Sequence, residues 1–254
     1  MSKSYQIAKS LRPLLLAGVA AMILSACASN RGHMDMTTTG SIGQSTAGLG
    51  ELTERYRRNP GDRAVAIHYA AALRAAGQPQ QATAAMEQAM SRHPNDVAIT
   101  VEYARTLTAS GRFEQSLQVL QNVIRPDAPD WNALLVMGAT LDQMGRHDQA
   151  RKVYVQASVI APGEASIETN LGLSYAMTNE LPAAENHLRR AAAMRGATTK
   201  TRQNLALVIG LQGRFAEAEA LYAAELPPDQ VAANMAYVQG MLSQKNRWDM
   251  IEQG

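Results

Sequence analysis

Residues 131–164 read WNALLVMGATLDQMGRHDQARKVYVQASVIAPGE, and this window decides the fold. Leu134, Met137 and Leu141 repeat at helical spacing up to Gly145, and Ala150, Tyr154 and Ala157 do so after it, before Pro162. That pattern is a helix, a turn that uses glycine's access to positive φ, a second helix, and a proline that stops it. Outward from Gly145, the turn residues Gly77, Gly111, Asn179 and Gly213 fall at a constant spacing of 34. Five windows then tile the chain without insertion: Arg63–Asp96, Val97–Asp130, Trp131–Glu164, Ala165–Thr198 and Thr199–Ala232. Each carries a small residue in its first helix (Ala70, Ala104, Gly138, Gly172, Ala206) and another in its second (Ala82, Ser116, Ala150, Ala184, Ala218), where paired helices must approach closely. One such pair cannot bury its own apolar face, so neighbours stack to build the core. Five units exceed the roughly three that stability requires.

This window resembles the tetratricopeptide repeat (TPR). The resemblance implies an all-α fold, a right-handed superhelix of antiparallel helix pairs with a concave groove lined by the first helix of each pair. The match weakens toward the ends, as capping units do. Pro126 and Pro129 replace a single terminal proline in the second window, and Gly196 stands at the proline site of the fourth. Asn179, at a glycine site, is a residue that tolerates the left-handed region. Leu226-Pro227-Pro228 should end the last second helix early. Before the array, residues 49–62 form a half-unit of one helix ended by Asn59-Pro60. After it, Asp229 is the expected N-cap of a capping helix over 229–244, with Val231, Met235, Val238, Met241 and Leu242 on one face. Residues 245–254 are expected to fray, with Trp248 docked on the last helix.

Composition agrees. The chain has 254 residues, 46% hydrophobic but only 5% aromatic, so the core must come from Ala, Leu, Val, Ile and Met. That mixture favours helices and argues against a β-sandwich. The formal net charge is +2, and three of the basic residues, Lys3, Lys9 and Arg12, precede residue 26. The remainder is near neutral, with no basic patch to suggest a nucleic-acid partner.

Residues 1–26 read as an address. Lys3, Lys9 and Arg12 precede an apolar run, Leu14–Leu24, of signal-peptide length and too short for a good membrane span. The run ends Leu24-Ser25-Ala26-Cys27, which resembles the lipobox of bacterial lipoproteins. The resemblance implies cleavage before Cys27, a diacylglycerol on its sulfur and an acyl chain on its new amine, and no other cofactor. Several chains anchor stably where one alone is marginal, at about 0.8 kcal/mol per buried methylene. Ala28, where inner-membrane lipoproteins often carry Asp, implies the periplasmic face of the outer membrane. Cys27 is the only cysteine, which excludes an internal disulfide. Residues 27–48, rich in Gly, Ser and Thr, are expected to be a flexible tether spanning about 25 Å root-mean-square.

Little in the sequence points to catalysis. His33, His68, His93, His147 and His187 occupy unrelated repeat positions with no metal-ligand spacing. Gly172-Leu173-Ser174-Tyr175-Ala176 echoes a nucleophile elbow, but it lies within a helix with no strand before it. The expectation is a non-enzyme whose groove binds protein. Positions 2, 5, 9, 12 and 13 of each unit should face that groove. They include Arg74, Arg105, Asn132 and Asp142 in a polar half, and Leu173, Met177, Leu207 and Leu211 in an apolar half. An apolar stripe suits a partner's helix or extended peptide, unless Leu207 and Leu211 simply pack under the capping helix.

The C-terminal third is more specific. Residues 204–219, NLALVIGLQGRFAEAE, and 226–237, LPPDQVAANMAY, resemble the TadD lipoproteins of tight-adherence (Flp) pilus assembly. That resemblance implies a scaffold or chaperone that helps the pilus secretin, or another protein of the same machine, reach the outer membrane and multimerise. A type IV pilotin or another envelope-assembly TPR lipoprotein fits the same layout, and a regulatory subunit of an envelope enzyme remains a further reading. The partner segment and the oligomeric state are not legible in the sequence.

Overall fold

The computed structural model describes residues 46–125 and 127–253, with side chains described from Gly48 to Ser243 apart from Pro126. The expected signal peptide, Cys27 and most of the expected tether lie outside the described residues, as does the side chain of Trp248, expected to dock on the last helix.

Among the described residues there are twelve helices. They are α1 (Thr46–Arg58), α2 (Arg63–Ala75), α3 (Pro79–Arg92), α4 (Val97–Ala109), α5 (Phe113–Gln121) and α6 (Trp131–Gln143). Then come α7 (His147–Ile160), α8 (Ala165–Met177), α9 (Leu181–Ala193), α10 (Thr199–Leu211), α11 (Phe215–Ala223) and α12 (Pro228–Gln253). The fold is all-α, with helices packed in consecutive pairs as in TPR proteins. The first helices, α2, α4, α6, α8 and α10, each begin on the first residue of a 34-residue window and run 13 residues.

Local chemistry explains that regularity. Asp62, Asp96, Asp130 and Thr198, each one residue ahead of a first helix, accept a bond from the backbone N–H three residues on, at 2.8–3.1 Å. Such caps satisfy helix-end donors that have no partner within the helix. At the turns, Gly77, Gly111, Gly145 and Gly213 have φ of 72–82°, and Asn179 sits at 62°. The following N–H then reaches back to close the helix: Gln78 to Leu73 O at 2.8 Å, Arg112 to Leu107 O at 2.9 Å and Glu180 to Tyr175 O at 2.9 Å. This is the Schellman closure that a left-handed residue makes possible.

Three boundaries differ from the sequence reading. α1 opens at Thr46, within the expected tether. Asp229 lies in the first turn of α12 rather than at its cap, because Pro228, with φ preset, occupies the first helical position. α12 also continues to Gln253 instead of stopping near Gln244, since Lys245–Gln253 contains no Pro or Gly to end it. α5 and α11 are short, nine residues each, ahead of the proline-bearing segments that follow them.

The chain divides into two compact units at Val153, within α7. In the N-terminal unit, Ala66, Ala70, Leu73, Ala82, Met86 and Ile99 make one core cluster, and Val101, Ala104, Leu120, Ala133 and Val136 another. Leu49 and Tyr56 of α1 pack on the first, with Tyr56 stacked on Tyr69 at 4.7 Å, so α1 serves as the half-unit that covers α2. The C-terminal unit is built on Leu188, Leu205, Ile209, Tyr222, Val231 and Met235. Here α12 packs against both α10 and α11.

Candidate protein-binding faces

In the N-terminal unit α2, α4 and α6 lie side by side. Polar side chains bridge these successive first helices. Arg74 of α2 donates through Nε to Glu102 Oε1 of α4 at 2.9 Å, and its Nη2 lies 2.8 Å from the same oxygen. Arg105, one turn along α4, donates through Nη2 to Asn132 Oδ1 of α6, while its Nε stays 3.8 Å from Glu102 Oε2. The structure thus brings together three of the expected site residues, Arg74, Arg105 and Asn132.

Repeat spacing does not single out Glu102, yet this residue organises the cluster. Its side chain is only 9% exposed, against 26% for Arg74 and 32% for Arg105. Burial raises its carboxyl pKa, opposed by the charges of Arg74 and Arg105 and more weakly by His68. Burial likewise pulls the Arg105 guanidinium down, against the pull of Glu102 and alongside repulsion from Arg74. The signal legible in the sequence is the i,i+3 pair Glu102–Arg105 on the first helix of the second unit.

Asp142 stands apart from this cluster. It is buried in α6, with an oxygen 2.8 Å from His147 Nδ1 at the start of the following helix. That contact fixes the α6–α7 turn, which accounts for an acid at an otherwise buried position.

In the C-terminal unit the expected apolar residues divide. Leu173 and Met177 on α8, and Leu211 on α10, are half-buried, whereas Leu207 is buried at 8% exposure. Leu207 therefore belongs to the core of this unit. Charge is arranged differently as well. Glu185 of α9 meets Arg189, Arg214 and Gln212, and Glu217 of α11 bridges Arg189 and Arg214. Burial pushes the Glu185 carboxyl up, but hydrogen bonds from Arg214, Gln212 and Arg189 outweigh it and hold the pKa down at about 2. Glu168 of α8 joins His187 and Arg190, and the His187 ring stacks on Tyr175 at 5.2 Å.

Among the described residues no group of three His, Cys, Asp or Glu is placed to hold a metal ion, and no helix is long and apolar enough to cross a membrane.

Models of tetratricopeptide repeats match residues 73–138, 169–200 and 202–224. The chain is similar to a thermophilic TPR protein of Thermus thermophilus, at 24% identity and a TM-score of 0.61 over 68% of this chain and 97% of that one. It is also similar to a tetratricopeptide repeat protein of Parabacteroides merdae, at 16% identity and a TM-score of 0.54 over 79% of this chain and 80% of that one. No curated protein matches. Repeat period, turn geometry, helix pairing and family models converge: the chain carries tetratricopeptide repeats, a scaffold for protein–protein interaction.

Proposed function

We propose that this scaffold is a lipid-anchored chaperone of tight-adherence (Flp) pilus assembly, held at the periplasmic face of the outer membrane through Cys27. What supports the reading is the likeness of residues 204–219 and 226–237 to the TadD lipoproteins, in a chain whose Leu24-Ser25-Ala26-Cys27 resembles a lipobox. In this reading lipid supplies the address, the segment before α1 supplies reach, and the faces of the first helices hold a segment of the secretin. Tethering raises the local concentration of the held partner, so modest affinity suffices. The accessible candidates for contact are Arg74, Arg105 and Asn132 in one unit, and Leu173, Met177 and Leu211 in the other.

The test is membrane fractionation of a strain lacking the chain, probing the secretin for location and for its heat-resistant multimer. Loss of the multimer, restored by wild type and not by Cys27→Ala, is the expected result. A normal outer-membrane multimer in the deletion strain would remove the secretin role, and full complementation by Cys27→Ala would remove the lipid address.

A further inference from the structure

The 34-residue period, carried one window past Ala232, reaches α12. Gly240 then stands where Ala70, Ala104, Gly138, Gly172 and Ala206 stand, the small site at which a first helix meets the second helix of its own unit. Gly172 shows that use, since a Cβ there would lie 2.6 Å from Leu188 Cγ of α9. A Cβ on Gly240 would meet nothing within 4 Å among the described residues. Arg247 occupies the turn position that Gly213 holds one window earlier, and α12 runs through it to Gln253 without turning back. The helix thus presents the packing site of a first helix with no second helix of the described chain upon it.

The same step finds a bare acid on α11. Glu219 stands 34 residues after Glu185 of α9. Glu185 accepts from Arg214 Nη1 and Gln212 Nε2 of the following unit, each at 2.7 Å. Glu219 is exposed and meets no base among the described residues. Residues 215–254 carry six acids against two bases, Lys245 and Arg247. Glu217 is bridged by Arg189 and Arg214, and Glu225 is held by Arg202, which leaves the exposed Glu219 and Asp229 without a counter-charge in the described part. A cleft of about 500 Å³ runs between α11 and α12, with Glu219 and Ala223 on one wall and Val231, Met235 and Gln239 on the other. Its far wall ends at Gln239, next to Gly240.

We propose that an amphipathic, basic helix of a protein partner docks here in the place of the second helix of a sixth unit, seated in the cleft and crossing α12 at Gly240. The two second helices beside it set its chemistry. α9 buries Ala184 and Leu188, and α11 buries Ala218 and Tyr222, each pair four residues apart. Arg214, which reaches back to Glu185, stands four residues ahead of Ala218. The docked helix therefore carries Arg or Lys at its start, a small residue four positions on, and a large apolar residue four positions further. Its base pairs with Glu219 as Arg214 pairs with Glu185, and its large residue covers Gly240 as Leu188 covers Gly172. An acidic helix would face Glu219 and Asp229 instead, so charge selects the partner while the apolar cleft holds it. Gln239 stands where Leu171 and Leu205 are buried in the preceding units, and this polar residue keeps the end soluble while no helix covers it. The site is separate from the first-helix faces and depends on neither the lipid nor the pilus reading.

The probe is a labelled, helix-stapled peptide copying residues 213–226 with Glu217→Gln, Glu219→Gln and Glu225→Gln, which retains Arg214, Ala218 and Tyr222. Titrated at low salt with the full chain in detergent, it should bind, and hydrogen exchange should slow in α11 and α12 and not in α2, α4 and α6. Gly240→Leu fills the crossing point and should weaken the peptide by about tenfold or more, with no loss of melting temperature, because leucine is the better helix former and the space is open. Glu219→Arg should weaken it by about fivefold, and a peptide with Arg214→Glu should recover part of that loss on the Glu219→Arg chain. Absence of binding, protection confined to the first helices, or unchanged affinity in Gly240→Leu overturns the proposal. If Gly240→Leu melts early, the charge swap decides, and no recovery there overturns it equally. A dimer of the chain alone in sedimentation, dissociated by Gly240→Leu, would make the occupant a second copy and overturn the partner helix. Secretin multimerisation reports on the pilus reading alone, so the two readings fail separately.

Discussion

The two units of this chain use the same 34-residue period to different ends. The N-terminal unit threads polar groups between its helices. Thr108 of α4, Ser116 of α5 and Thr140 of α6 meet hydroxyl to hydroxyl at 2.8–3.2 Å, with Ser116 and Thr140 fully buried. On the face of the first helices, Glu102 joins two arginines. The C-terminal unit sets one hydroxyl pair between its first helices, Thr169 on Thr201 at 3.2 Å, and elsewhere closes on methyl groups over glycine. A Cβ on Gly172 would lie 2.6 Å from Leu188 Cγ and 3.0 Å from Ala184 O, and one on Gly210 would lie 2.8 Å from Val238. Ion pairs there link α9 to α11, on the second helices. A repeat fixes where helices start and turn, and leaves open whether their contacts are made by hydrogen bonds or by close approach. One unit is thereby held by a chain of hydroxyls under a charged first-helix face, and the other by close approach over glycine.

The largest expected effect tests that tight interior. Leu188 is fully buried, and Leu188→Ala should cost about 2–5 kcal/mol. Gly172→Ala gains helix propensity yet should lose about 1–3 kcal/mol by overpacking, because its neighbours are a core side chain and a backbone oxygen. The double variant should be less unstable than the sum, as the smaller residue at 188 makes room for the larger at 172. Hydrogen exchange should place the loss in α8–α10, with α2–α5 little changed, since stability in repeat arrays is set by neighbours. Strict additivity in the double variant would mean that the two residues do not share one contact, and the close-approach account of this unit would fail.

Much of the fold is legible in sequence, and the reasons are local. The turn residues Gly77, Gly111, Gly145, Asn179 and Gly213 all adopt positive φ, and the small sites Ala70, Ala104 and Ala206 are buried to nothing, as the 34-residue spacing requires. Helix starts follow from the spacing, and the caps Asp62, Asp96 and Asp130 mark the same starts independently. What stays hidden depends on tertiary placement. Glu102 looks like one more solvated charge on an amphipathic helix, and only the arrival of Arg74 from the preceding unit makes it a buried hub. Leu207 has the register of a surface position, but it lies in α10, which packs on both α8 and α12, and it is buried. Asp142 has the register of a groove residue, and its partner, His147, lies across a turn. Periodicity reports which face a residue shares; it is silent on what covers that face.

A smaller effect should mark the hydroxyl cluster. Thr108 and Ser116 reach the same backbone oxygen, Ala104 O, at 3.0 Å each, and Thr140 reaches Val136 O at 2.8 Å. Each hydroxyl owns one proton, so three protons serve both these carbonyls and the contacts among the hydroxyls. Thr140→Val keeps the shape, removes one proton and one acceptor, and should cost about 0.5–1.5 kcal/mol. Thermal unfolding of this variant beside Gly172→Ala measures the contrast between the units. A loss of several kcal/mol at Thr140 would show that the polar interior, rather than the apolar one, is the less forgiving.

The subtlest contrast is in pH, because the two embedded glutamates are shifted in opposite directions. The folded C-terminal unit lowers Glu185 from 4.5 to about 2 through hydrogen bonds from Arg214, Gln212 and Arg189 that overcome its burial. Its contribution is complete above the unfolded value and is lost as pH falls from 4.5 toward 2. Burial raises Glu102 in spite of Arg74 and Arg105, so the folded state there binds its proton more tightly than the unfolded state does. Its net effect is therefore nil below the unfolded value and destabilising once pH passes the raised folded value. Glu185→Gln should flatten the acid limb of the melting profile, and Glu102→Gln should flatten a decline on the higher side of 4.5 while leaving the acid limb in place. The Glu102 change also leaves Arg74 and Arg105 facing each other without a counter-charge, so its melting temperature should recover with salt, whereas that of Glu185→Gln should not. A profile in which both variants alter the same limb would mean that Arg74 and Arg105 prevail over burial at Glu102. The two units would then differ in packing alone and not in how they hold charge.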